Sequence, residues 1–179
     1  NCKGNILKLI LKMTVDLKTI LPENFHPLSK TWIYQSNRTF TMPELFQVEE
    51  LLESFTQNWK SHGKPVKGFA TIVYGQFIVL MADETITGVG GCSTDSSVHI
   101  IKQIEVMHKV QMFNRELLAF WIKDKVQTIP LTQVGYALEN SILKKDTLYF
   151  NNLVSNKAAM EKEWLQPIAH SWLAKKYAL

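Results

Sequence analysis

KGFATIVYGQFIVLMADE, residues 67–84, decides how the chain is read. Two runs rich in β-branched and aromatic residues flank Gly75-Gln76. That pattern predicts a hairpin, with glycine in the first loop position of a type II′ turn. Ile78-Val79-Leu80-Met81 is apolar at successive positions, so this strand has two faces to cover and is predicted to be central.

Working upstream, TWIYQ (31–35) reads as a strand with Trp32 and Tyr34 on one face and Ile33 on the other. Thr41-Met42-Pro43-Glu44 predicts a helix start. The threonine can accept from a free backbone N–H, and the glutamate three residues on can reach back. Leu45, Val48, Leu52, Phe55 and Trp59 then form one apolar stripe, and His62-Gly63 is the expected stop. Downstream, a helix is expected from Asp95 to His108 with Val98, Ile101, Ile104 and Met107 inward, followed by a strand, ELLAFWIK (116–123).

The resulting order is β-α-β-β-α-β, the ferredoxin-like pattern of an α+β fold with a mainly antiparallel sheet and helices on one face. The open face of that sheet, with Trp32/Tyr34 and Phe120/Trp121, is then the expected dimerisation or ligand surface. Beyond it the reading is a C-terminal helical elaboration: a helix over 132–143, an extended TLYFNNLV (147–154), and a last helix over 156–175 started or kinked at Pro167. Residues 14–179 are read as a single domain. Residues 1–13 are read as a flexible N-terminal extension. The stretch NCKGNILKLILK is too short to span a membrane, and the alternative for it is a small amphipathic helix at a membrane surface.

Charge narrows the function. The net +4 of the 179 residues is carried by the ends. Residues 1–30 hold five lysines against two acids, residues 126–179 six lysines against four acids, and residues 31–125 nine basic against ten acidic side chains. A near-neutral body has no basic stripe for nucleic acid. Two cysteines, Cys2 and Cys92, make neither a disulfide framework nor a zinc site, and point to a reducing cytoplasm.

Three segments carry a resemblance: WIYQSNRTF (32–40), ADETITGVGGCSTDSSVHIIKQIE (82–105) and FNNLVSNKAAMEKEWLQPIAHSW (150–172). Over roughly residues 20–172 the chain resembles a family of short Bacteroidota proteins that often carry the label "ABC transporter ATPase". Members of that family begin near the equivalent of Met13 or later. The resemblance implies no activity, ligand or catalytic residue to carry over. The label itself fails a physical test. A phosphate-binding loop needs a lysine and a hydroxyl directly after its last glycine. Here GVGGCSTD is followed by no lysine before Lys102.

GVGGCSTDSSVH (88–99) is the stretch with the most chemistry. Cys92 at a helix start is a candidate nucleophile, since the positive end of the helix dipole lowers a thiol pKa. The alternative is a small buried hydrophobe. If 92–99 is helical, seven residues place His99 about 10 Å along the axis from Cys92, too far for a dyad. Asp95 and His99, four apart, can meet on one face. Asp95 is equally an N-cap, in competition with Ser93, Thr94 and Ser96. Free N–H groups and these hydroxyls make an anion cradle. Asp95 opposes an anion and would suit a sugar, base or amine better.

Elsewhere, Asn37 and Arg38 follow the first strand and could hold a carboxylate or phosphate, an ion pair being the alternative. Asn151 and Asn152 could bind a ligand or cap a turn. Trp164, His170 and Trp172 could line a pocket or belong to a core. Asp83-Glu84 is too little for a metal site, and neither metal nor cofactor is expected.

The expectation is therefore a cytoplasmic small-molecule-binding or interaction domain, a candidate homodimer, with its site around the Gly-Gly-Cys-Ser-Thr-Asp helix start (90–95) and with Asn37, Arg38, Ser93, Thr94, Ser96, Asn151 and Asn152 as ligand-binding residues. The alternative is a thiol enzyme with Cys92, Asp95 and His99 as catalytic residues. Nucleic acid and a membrane span are not expected.

Overall fold

A computed structural model describes residues 17–83, 85 and 91–179. The expected extension over 1–13 and residues 14–16, 84 and 86–90 lie outside the described residues. The chain begins with α1 (Leu17–Ile20), β1 (Lys30–Gln35) and α2 (Met42–Asn58). A small hairpin, β2 (Lys60–Ser61) and β3 (Lys64–Pro65), precedes the large one, β4 (Lys67–Val73) and β5 (Phe77–Asp83). Then come α3 (Gly91–His108), β6 (Leu117–Ile122), β7 (Lys125–Pro130) and α4 (Leu131–Glu139). The chain ends with β8 (Leu148–Phe150), α5 (Lys157–Glu163), β9 (Leu165–Pro167), a 3-10 turn (Ile168–His170) and α6 (Trp172–Tyr177).

β5 is the centre of the first sheet, in the order β1-β5-β4, and both of its neighbours are antiparallel to it. Every residue of β5 is buried, as its doubly apolar sequence requires. Ile78 and Leu80 face α2 and α3, where they meet Leu45, Val48, Leu52, Ile101 and Ile104. Phe77, Val79 and Met81 face the other way, onto Ala119, Phe150, Met160 and Trp164. At about 1.5–3 kcal/mol for each large apolar side chain removed from water, these two faces dominate the stabilisation.

The second sheet, β7-β6-β8-β9, supplies that other cover. β6 alternates: Ala119 and Trp121 look toward the first sheet, and Leu118, Phe120 and Ile122 toward Val134, Ala137 and Leu173 of α4 and α6. The layers thus run helices, sheet, sheet, helices.

This α+β architecture departs from a single ferredoxin-like sheet at its fourth strand. β1, β5 and β4 take the relative places of that pattern. β6 does not complete the ladder on the outer side of β1. It is apolar on both faces, and the two-residue turn Lys123-Asp124 (φ 50° and 58°) folds it onto β7 instead. The sheet face expected to be open is consequently covered. Trp32 and Tyr34 lie on its helix side, while Phe120 and Trp121 belong to the second sheet.

The C-terminal part is less helical than expected. α5 stops at Glu163, and Leu165–Pro167 pair with β8 as a strand, so the long helix over 156–175 does not form. Proline cannot supply the N–H that a continuous helix needs there.

Two turns also differ from expectation. In the β4–β5 loop the left-handed residues are Tyr74 and Gly75 (φ 52° and 62°), so the pair lies one residue earlier than a Gly75-Gln76 turn. The Gln76 side chain is held inward, its Nε2 donating to Ser36 O at 3.0 Å. α2 ends at Asn58, before His62-Gly63, which turn the β2–β3 hairpin instead. At the helix start, Glu44 does reach back, accepting from the Thr41 N–H at 2.7 Å.

The early end of α2 lets the indole of Trp59 lie on β4. A Cβ on Gly68 would stand 2.5 Å from Trp59 Cε3. Gly68→Ala should therefore cost about 2 kcal/mol by overpacking, read as a lower urea midpoint. An unchanged midpoint would show that the indole yields freely.

Candidate functional site

β1 is an edge strand. Near its start, Thr31 N–H donates to Ser155 O at 2.9 Å. At its end, Gln35 Nε2 donates to Leu117 O of β6 at 2.8 Å. Between these ties, where a fourth strand of the first sheet would lie, a cleft of about 620 Å³ opens between the two halves of the molecule. That size is ordinary for a small-molecule site.

One wall is β1 itself. Opposite it stand Leu117 and Leu118 of β6, Tyr149 and Phe150 of β8, and Asn152. The helix wall is a stripe of α3, Thr94, Val98 and Lys102, at four-residue steps. The loop after α3 adds Phe113, Asn114 and Arg115, and α6 adds Trp172. Phe113 and Trp172 are 39% exposed and Leu153 is 73% exposed, giving the cleft an apolar rim.

Neutral hydrogen-bonding groups stand along the walls beside the cations Lys102 and Arg115. Tyr34 OH and Ser97 Oγ share a hydrogen bond at 3.1 Å, and Ser97 Oγ also reaches Thr94 O at 2.7 Å. Burial raises the Tyr34 pKa, partly offset by the Ser97 bond and the nearby Arg115 charge. Burial likewise raises Tyr149, against the indole N–H of Trp172, which donates to its hydroxyl at 3.1 Å. Both phenols are protonated at neutral pH. Asn152 Nδ2 donates to Gln35 Oε1 at 2.9 Å, while Trp164 Nε1 donates to Asn152 Oδ1 at 2.9 Å. This chain of side chains fixes the inner end of the cleft to both sheets.

The residues singled out in the sequence divide. Thr94 lines this cleft. Asp95, Ser96 and His99 line a second, more open one of about 740 Å³ with Phe55 and Trp59. There, Trp59 Nε1 is buried without a hydrogen-bond partner among the described residues. Consecutive helical residues are turned about 100° from one another, so one helix start feeds two clefts. Because α3 begins at Gly91, Asp95 stands in its second turn and is not its N-cap. The same helix separates positions 92 and 99 by about 10 Å of rise. The side chains of Cys92 and Ser93 lie outside the described residues.

Arg38 and Asn37 are not brought to the helix start. Arg38 grips Glu44 through two bonds of 2.8 Å and donates to His108 O at 2.9 Å. Asn37 Oδ1 accepts from the Gln111 N–H at 2.8 Å. Both clamp the far end of α3, about 20 Å of helix away from Asp95. The guanidinium holds the Glu44 carboxyl down at about 2. Asn151 forms a turn, its Oδ1 accepting from the Leu153 N–H at 3.3 Å. Trp164 is fully buried core, whereas Trp172 is a cleft residue. Asp83 is tied to Lys67 and Thr85.

Sequence reading placed Tyr34 on an expected ligand surface and missed Lys102, Phe113 and Arg115. Two signals pointed to the cations: the four-residue spacing of Thr94, Val98 and Lys102, and Arg115 as the second of only two arginines. Among the described residues, no group of three or more His, Cys, Asp or Glu side chains could hold a metal, and no helix is long and apolar enough to cross a membrane. No family model, curated protein or solved structure matches the chain.

Proposed function

We propose that this protein is a small-molecule-binding domain of the cytoplasm whose ligand occupies the cleft beside β1. One observation carries the reading: the outer side of edge strand β1, where no further strand pairs along its length, faces about 620 Å³ of space walled by aromatic rings and hydrogen-bonding side chains. The helix start expected to form the site contributes through Thr94. The thiol chemistry weighed for Cys92 is not needed for binding.

Titration with N-phenyl-1-naphthylamine, a neutral fluorescent probe, tests the reading. Saturable binding of one probe per chain is expected, together with a change in tryptophan emission from Trp32 and Trp172. Val98→Trp fills the helix wall and should abolish it. Binding that survives this substitution, or no binding by any aromatic probe, would refute the assignment.

A further inference from the structure

We infer that the ligand of this cleft is an anion: one compact carboxylate or phosphate group on an apolar, ring-sized body. The inference rests on the binding role proposed above and adds the charge class of the ligand. Lys102 comes from α3 and Arg115 from the loop before β6, yet both line the same cleft. No carboxylate stands among the lining residues. Neither cation has an ion pair or hydrogen bond among the described residues. Arg38, Lys67 and Lys157, by contrast, face Glu44, Asp83 and Glu161 at 2.8, 2.8 and 3.8 Å.

The field of Arg115 reaches inside the cleft, since it acts on the Tyr34 hydroxyl. Two cations from separate elements, bordering apolar walls of low polarisability, make a positive mouth that would concentrate anions. Arginine can grip a carboxylate or phosphate through two bonds, and the lysine adds a point charge. Phe113, beside Arg115 and edge-on to Tyr34 at 5.6 Å, offers a ring to the apolar body. Thr94 and Asn114 can add neutral hydrogen bonds.

The test compares 8-anilino-1-naphthalenesulfonate with its neutral counterpart N-phenyl-1-naphthylamine on the full chain. The anionic probe should bind at least tenfold tighter, and its affinity should fall as salt is raised. Lys102→Gln with Arg115→Gln should remove that advantage, so that the two probes then bind alike. Both side chains are exposed, so folding should change little. Displacement of the anionic probe by 1-naphthoate or by 1-naphthyl phosphate, and not by 1-naphthol, supports the inference and identifies the headgroup. Equal affinity for the two probes, both lost in Val98→Trp, would overturn the anion class and leave the cleft a binding site. Binding indifferent to Val98→Trp would instead overturn the cleft assignment itself.

Discussion

Trp164→Ala should lower the unfolding free energy by about 4 kcal/mol, the upper range for loss of a large buried aromatic. The indole is fully buried between the sheets, with ring centroids of Phe77 at 5.1 Å, Phe150 at 5.2 Å and Tyr74 at 6.0 Å. Truncation opens a cavity where β5, β8 and α5 share one core cluster. It also removes the N–H that holds Asn152 Oδ1 at 2.9 Å. Trp164→Phe keeps most of the packing and loses the hydrogen bond, so it should cost about 1–3 kcal/mol. Urea unfolding measures both. If alanine costs less than phenylalanine should, the two sheets are not joined through this side chain.

Asp83→Asn should cost about 3 kcal/mol, because it removes a buried carboxylate's charge from its bonds to the half-buried Lys67 ammonium and to Thr85. The Asp83 side chain is 3% exposed, with Lys67 Nζ at 2.8 Å. Thr85 adds its hydroxyl at 2.7 Å and its N–H at 3.2 Å. Burial alone would raise the carboxyl pKa. The Lys67 ammonium, the Thr85 hydroxyl and N–H, and the N–H of His26 outweigh it, and hold the group well below the usual carboxylate range. A lowered pKa in the folded state gives stability that is complete above the unfolded value of about 3.9. It is lost as pH falls through the lower folded value. Glu44 adds the same sign, its loss lying between 4.5 and about 2. Thermal unfolding from pH 7 to pH 2 should therefore show a falling Tm below about pH 4.5. That fall should be shallower in Asp83→Asn, and shallower still with Glu44→Gln added. Parallel curves for all three proteins would show that these carboxyls do not set the acid stability.

The legible parts of the fold were those written locally. The stripe of α2 and its reach-back glutamate, the doubly apolar run of β5 and the body of α3 each follow from the spacing of a few residues. The identity of a strand's neighbour is not written that way. Period-two alternation says which side chains of β6 share a face, and says nothing of whether Phe120 lies beside Trp32 or beside Tyr149. The cleft was hidden for the same reason, being the gap beside β1 that β6 leaves. Arg38 could be read as ligand or ion pair until Glu44 was placed 2.8 Å away. Thr94 and Asp95, adjacent in sequence, went to different clefts because the helix begins earlier than the hydroxyl run suggested.

The pairing of Gln35 with Asn152, 117 residues apart, bears on how the chain assembles. The β4–β5 and β6–β7 hairpins close over short loops, whereas the interface between the sheets waits for distant segments to meet. Ordering so remote a contact is slow on topological grounds. Until it forms, the Phe77, Val79 and Met81 face of the first sheet and the outer edge of β1 lie bare together. An apolar face beside an unpaired strand edge is what another copy of the same half-built chain can join. Refolding yield should on this account fall with concentration, even where the finished protein shows no tendency to associate.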